Sequence, residues 1–317
     1  MIVKMSKITI LCMQSARDTA LEVLRNLGVV HVKAVRRPAG DALEKSNAEL
    51  ARYQRALDII PEPTDQVKSA IAENYKDIVK RGTNAATLAL SSQQRKNELL
   101  DNLKKLTAEQ GRIESLGDFD PATLKTLADN GIVISIYRSK TNRDPVVKEP
   151  AVVKRLTGQN KNFFFAVIGE HKPDVSWEVF RLPSMSLGEI NRHIADTNAE
   201  LTKIESDLLK LVEDKRFVGI LKNEAAAEVE FNTARAGMGD AGAIVYLQGF
   251  SPVEALDRLR AEAAKHGWGI VAEEPAAEDS VPTLVRYPRW VKPIKALFDV
   301  IGILPGYREI DVSAVFL

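Results

Sequence analysis

The segment Gly237-Met238-Gly239-Asp240-Ala241-Gly242 spells G-x-G-x-x-G letter for letter. In a dinucleotide-binding unit those glycines follow a strand and open a helix, so that a pyrophosphate meets the helix N-terminus. Here the order is reversed, with a helical stretch before the glycines and a strand-like stretch, residues 243–249, after them. The segment reads as a helix-to-strand connection. The 4 histidines, His31, His171, His193 and His266, are never three or four residues apart, and no cysteine or carboxylate cluster completes a metal set around one. His266 falls in the last turn of a predicted helix, where partial positive charge complements the dipole. The sequence contains no G-x-x-x-x-G-K-[ST], no G-x-S-x-G and no H-E-x-x-H. The expectation is a non-catalytic chain with no catalytic residue, no cofactor and no metal.

Basic residues gather in two places. Lys33, Arg36 and Arg37 read as a solvated loop. Arg286, Tyr287, Arg289, Trp290, Lys292 and Lys295 interleave cations with Trp and Tyr. That mixture suits the cytoplasmic edge of a membrane domain, and equally an ordinary basic linker. Net charge is +1 over 317 residues, so the bulk balance calls for neither nucleic acid nor an acidic surface. The single cysteine, Cys12, excludes an internal disulfide and, lying in an apolar run, reads as a small buried hydrophobe. Lys4 and Lys7, with Gln14, Arg17 and Asp18 close behind, do not fit a secretory signal. No run approaches the ~18 apolar residues of a membrane span, and the expected compartment is the cytoplasm.

The elements around these residues follow from periodicity. Residues 7–13 read as a strand and 18–27 as a helix, with Ser15 a candidate N-cap and Gly28 a candidate C′ residue. Residues 29–34 read as the next strand. From about Asp41 a stretch rich in Ala, Glu, Lys, Arg and Leu reads as helix, broken by Pro61, Pro63 and Gly82. In its last part Leu99, Leu103, Leu106 and Ile113 follow a seam, with Gln110 at the missing position. A second globular patch follows. It has a helix from Asp120-Pro121 to Ala128, ended by Asn130-Gly131, and a strand at 132–137. A helix is expected at 150–156 and an apolar strand at 162–168, with 177–182 pairing beside that strand.

The clearest signal is Leu187, Ile190, Ile194, Thr197, Leu201, Ile204, Leu208 and Leu211, three and four apart without a miss. Lys215 and Val218 continue the register. This is a coiled-coil seam, capped by Ser186 or Ser184 and running as one helix to about Arg235, roughly 50 residues and about 75 Å. Then come a strand at 243–249, Ser251-Pro252 as N-cap and N1, a helix at 253–266 closed by Gly267, and a strand at 268–273.

Neither terminal β-α-β unit buries both faces alone. Together they make four strands and two helices, the ferredoxin-like arrangement. The fold expected is α+β. Two small α/β lobes, the proximal one ferredoxin-like and built from both chain ends, are joined by a long antiparallel helical coiled-coil hairpin. The divisions are 1–40 and 237–275 for the proximal lobe, 41–115 for the outgoing helices and 116–183 for the distal lobe. The returning helix takes 184–236, and 276–317 is a linker.

The ending leads from Val281-Pro282-Thr283 through Tyr287-Pro288, Val291-Lys292-Pro293, Leu304-Pro305 and Tyr307 to Glu309-Ile310-Asp311. It resembles the junction between cytoplasmic arm and membrane domain in subunit I of V/A-type rotary ATPases, subunit a in eukaryotes. Met5-Ser6-Lys7, Gly28-Val29-Val30-His31-Val32 and Tyr246-Leu247-Gln248-Gly249-Phe250 resemble the same family. Pro293-Ile294-Lys295 stands where the family usually has Pro-Phe-Glu, and Asp311-Val312-Ser313 where it often has Asp-Pro-Thr. These departures suggest a divergent bacterial branch.

The resemblance implies a stator arm at the cytoplasmic face of the cell membrane. It implies that both lobes hold peripheral stalk heterodimers, and that a membrane domain beyond Leu317 joins the ion-translocating sector. Junction residues Val281, Pro282, Thr283, Pro288, Pro293, Leu304, Pro305, Tyr307, Glu309 and Asp311, and seam residues Leu187, Ile190, Ile194, Leu201, Ile204, Leu208 and Leu211, are the positions expected to matter. Nucleic acid and a small-molecule substrate are not expected. Two other readings are a free coiled-coil scaffold or tether, and a small-ligand regulatory domain built from paired β-α-β units.

Overall fold

The computed structural model describes residues 2–63, 74–141, 150–159, 162–169, 177–284 and 307. The basic-aromatic cluster from Arg286 to Lys295, His171, and the junction positions Pro288, Pro293, Leu304, Pro305, Glu309 and Asp311 lie outside them.

In chain order the elements begin with β1 (Met5–Met13), α1 (Arg17–Leu27), β2 (His31–Lys33), α2 (Asp41–Ile59) and α3 (Tyr75–Ile113). Then come α4 (Pro121–Asp129), β3 (Ile134–Ser139), β4 (Val152–Gln159), β5 (Asn162–Ile168) and β6 (Glu178–Val179). The last are α5 (Leu187–Lys210), α6 (Lys215–Gly237), β7 (Gly239–Ala241), β8 (Ile244–Pro252), α7 (Leu256–His266) and β9 (Gly269–Glu273). The protein is thus mixed helix and antiparallel sheet. It divides into two compact units, one of Met1–Gln54 with Gly219–Leu317 and the other of Arg55–Val218.

The first unit holds a sheet of order β2-β8-β1-β9, with β7 added beside β8. All of its pairings are antiparallel. Along β1 the side chains alternate. Ile8, Ile10 and Cys12 are buried, whereas Lys7, Thr9 and Leu11 are half-buried. The inward set packs with Leu21 and Leu24 of α1, Leu259 and Ala263 of α7, and Leu247 and Trp268. Burial pushes the Cys12 thiol up, which keeps it an unreactive hydrophobe. Gly28 and Gly267 end their helices in the left-handed region, at φ 62° and 68°.

Three local expectations fail in this unit. Ser15 caps nothing, because Gln14–Ala16 form a 3-10 turn and the N-cap position of α1 falls on Ala16. The strand expected at 29–34 shortens to β2, since only three residues find partners on the edge of β8. Ser251-Pro252 does not open a helix. The pair ends β8 opposite Ser6 and Met5, and a 3-10 turn, Val253–Ala255, delays α7 to Leu256.

The second unit holds a sheet of order β4-β5-β3-β6. Asp120 caps α4 through its side chain, with Pro121 inside the first turn. The helix expected at 150–156 is instead strand β4. Its Val152-Val153 pair is β-branched, and the segment finds an antiparallel partner in β5, with a shift of register between Arg155 and Gly158. Residues 177–182 do not pair beside β5; β6 pairs with β3, which lies between them. Gly82 does not break the second helical stretch either. It lies inside α3 and is buried with Ala85, Ala86 and Ala89, a small-residue face where a neighbouring backbone can approach closely.

Candidate functional site

Ser186 opens α5 with a capping box: its hydroxyl accepts from Glu189 N, and the Glu189 carboxylate accepts from Ser186 N. Beyond the cap, every seam residue named from sequence is buried or half-buried. Ile190 is fully buried, Ile204 and Leu208 nearly so, and Leu187, Ile194, Leu201 and Leu211 partly. Thr197, the polar member of the row, is buried and satisfied by donating to the His193 carbonyl at 2.7 Å. Its neighbours on α3 carry the complementary row of buried Leu99, Leu106 and Ile113.

Polar pairs flank this contact. Gln110 Nε2 donates to Asn191 Oδ1 at 2.7 Å, Arg95 Nε to Glu200 Oε1 at 2.8 Å, and Lys96 Nζ to Glu205 Oε1 at 2.9 Å. As numbers fall along α5 from 205 to 191 they rise along α3 from 96 to 110, so the two helices run antiparallel. Its hydrogen bond to Arg95 holds the Glu200 carboxyl below the usual carboxylate range. The pair is exposed, so its contribution is direction and register more than stability.

At one end Leu187, Ile190 and Ile194 join Leu106, Ile113, Ile136, Phe164 and Phe180 in a single apolar cluster. Arg112 locks this end. Its guanidinium lies 4.4 Å from the Phe180 ring centre and donates to the Arg181 carbonyl and to Glu109.

At the other end the single long helix expected from the seam is interrupted. Leu211–Asp214 form a 3-10 turn between α5 and α6. Four residues at 3.0 rather than 3.6 per turn advance the helix face by about 80°. After the turn Phe217, Val218 and Leu221 are buried and Lys215 is half-buried, so Phe217 joins the buried face beside Val218. Arg81 pairs with Asp214 at the turn and lies 4.7 Å from the centre of the Phe217 ring. Lys215 Nζ donates to the Ile60 carbonyl at 2.7 Å and to Glu62 at 2.8 Å. Periodicity placed Lys215 in the seam register but gave no hint of either cation's partner, because the partners lie more than a hundred residues away in the chain.

The G-x-G-x-x-G segment has a steric task. Met238 is in the core of the first unit, Gly239–Ala241 form β7, and Gly242 turns the hairpin at φ 79°. A Cβ on Gly239 would stand 2.2 Å from the Tyr246 ring. Of the histidines, His31 is exposed on β2, His193 is exposed on α5, and His266 stacks on Trp268 at 4.9 Å. Among the described residues no group of three or more His, Cys, Asp or Glu side chains could hold a metal.

Of the junction residues that the structure describes, Tyr307 reaches β1 and the segment ending at Leu284 reaches the residues just ahead of it. Val3 N donates to the Leu284 carbonyl at 2.9 Å, directly after Val281, Pro282 and Thr283. Tyr307 Oη accepts from Met5 N at 2.9 Å. Two residues before Val281, Asp279 accepts from Lys7 Nζ at 3.0 and 3.2 Å.

No family model matches this sequence. Two curated proteins match it from end to end. V-type ATP synthase subunit I 1 of Treponema pallidum is 26% identical over 336 residues, and V-type ATP synthase subunit I of Borreliella burgdorferi is 25% identical over 326. The chain is similar to V-type ATP synthase subunit I along its whole length. It spans about half the length of these relatives, 54% and 52%. A crystal structure of the cytoplasmic N-terminal domain of subunit I, homolog of subunit a, of V-ATPase covers 84% of this chain and 99% of that one. The match has 13% identity and a TM-score of 0.40, a level of likeness that supports no detail of the fold. Among the described residues no helix is long and apolar enough to cross a membrane.

Proposed function

We propose that this chain is the cytoplasmic stator arm of a V/A-type proton- or sodium-translocating rotary ATPase, a non-catalytic part that resists rotor torque. The observation that carries the reading is end-to-end similarity to V-type ATP synthase subunit I in two organisms. In this reading the first unit is the proximal, ferredoxin-like lobe. Its order β2-β8-β1-β9, with α1 and α7 as the crossovers, supports that assignment. The antiparallel seam of α3 and α5 is the coiled-coil hairpin, and residues 116–183 are the distal lobe. Both lobes hold peripheral stalk heterodimers. The segment from Val281 onward leads to the membrane sector, which sets the site of action at the cytoplasmic face of the membrane.

A stator must transmit torque without yielding, and paired helices bend less readily than single ones. Titration calorimetry of the purified chain against the peripheral stalk heterodimer of the same organism tests the reading. Saturable binding that weakens when residues 116–183 are removed is the expected result. No heat at high micromolar concentration, with both partners folded, overturns it.

A further inference from the structure

Among the described residues strand β9 is an edge strand that pairs with β1 alone, and the chain leaves it at Glu273. Tension applied further along the chain would peel such a strand away one hydrogen bond at a time. The residues that follow are arranged against this. The Asp279 carboxylate, 6% exposed, receives Lys7 of β1 at 3.0 Å and Lys33 of β2 at 3.6 Å. Both lysines rise from the sheet face opposite the one on which Ile8 and Ile10 meet α1 and α7. Asp279 is itself held in a tight turn: its carboxylate accepts from Ala276 N at 3.0 Å, and its own N–H donates to the Ala276 carbonyl at 3.1 Å. Five residues on, Leu284 is bonded through its carbonyl to Val3, just ahead of β1.

We propose that residues 276–284 form a strap whose clasp is Asp279, and that it delivers tension from the following chain to β1 and β2 instead of to the edge strand β9. Lys7 stands in the middle of the sheet, between β8 and β9, and Lys33 on its far edge. A pull at the strap therefore loads several strands in parallel, which resists more force than sequential peeling. The anchoring stands on this lobe alone. Its mechanical meaning rests on the arm reading above, and its test needs no partner, so a failure to bind stalk proteins leaves it untouched.

Two measurements on the whole chain test it. In hydrogen exchange, D279N is expected to speed the amides of Val3, Asp279 and Val281 by about tenfold or more and to leave Ile10 and Leu247 unchanged. E273Q, at an exposed position of β9, is expected to change none of them. In single-molecule pulling between cysteines placed at exposed Asn47 and at exposed Leu284, which lies ahead of the Tyr307 contact with Met5, D279N is expected to lower the first rupture force, with β9 leaving first. Unchanged exchange in D279N, a uniform rise through the lobe, or an unchanged rupture force each overturns the proposal.

Discussion

Lys215 closes the C-terminal end of α2 from 155 residues away, its Nζ donating to the Ile60 carbonyl at 2.7 Å. A helix leaves its last carbonyls without intrahelical partners, and a cation there also complements the dipole. The Lys215 side chain is 15% exposed, while Glu62, its second partner, is 84% exposed. The carbonyl is therefore the partner that matters.

Replacing Lys215 with Met is expected to cost about 1–3 kcal/mol, because it leaves a buried carbonyl unpaired while keeping the aliphatic stem. E62A is expected to change little, since its ion pair lies in solvent. Urea denaturation followed by helical circular dichroism separates the two. Equal effects would mean that the ion pair, not the cap, is the stabilising contact.

The seam predicts a steep contrast between neighbouring faces of α5. Ile190 is fully buried and Leu209 is 61% exposed. I190A is expected to destabilise by about 2–5 kcal/mol through lost burial and a cavity, and L209A by less than about 0.5 kcal/mol. Thermal melts of the two variants check the assignment of the row directly.

Two glycines of the first unit differ in what a methyl group would strike. On Gly249 it would meet the His31 carbonyl oxygen at 2.4 Å, whereas on Gly239 it would meet the Tyr246 ring at 2.2 Å. A ring can turn aside, but a strand backbone moves only with its ladder. G249A is expected to cost about 3 kcal/mol or more and G239A about 1–2 kcal/mol, read as denaturation midpoints. The reverse order would place the tighter constraint at the hairpin.

Acid should loosen the strap before it loosens the sheet. Its hydrogen bond to Lys7, then that to Ala276 N, hold the Asp279 carboxyl below the usual range, with Lys33 adding to the field. A depressed carboxylate contributes stability that is fully present above its ordinary value, about 3.9, and is lost as pH falls through the lowered value. Exchange at Val3 and Val281 is therefore expected to rise as pH drops below about 4, after correction for the intrinsic rate. D279N should lack that extra rise. Glu273, opposite Lys7 on β9, is the other carboxylate in this row, and E273Q should keep the wild-type profile.

What the sequence determined by itself was periodic or local. The three-and-four spacing from Leu187 to Leu211 marked a helix face, because burial on a helix repeats every 3.6 residues whatever the partner. Ser186, Asp120, Gly28 and Gly267 marked helix ends, because caps are settled within one turn of chain. The reversed order around Gly237 to Gly242 argues against a nucleotide loop from sequence alone. Only the tertiary structure decided the rest. Residues 150–156 became β4 because β5 offered a partner, which outweighs weak local preference. The 3-10 turn at Leu211–Asp214 left the seam spacing intact, yet it interrupts the helix and brings Phe217 into the buried face beside Val218. Lys215 with Ile60, Arg81 with Asp214, and Lys7 with Asp279 join residues 155, 133 and 272 positions apart. No periodicity connects such pairs, because hydrogen bonds between distant segments depend on how the chain returns and not on what lies beside each residue.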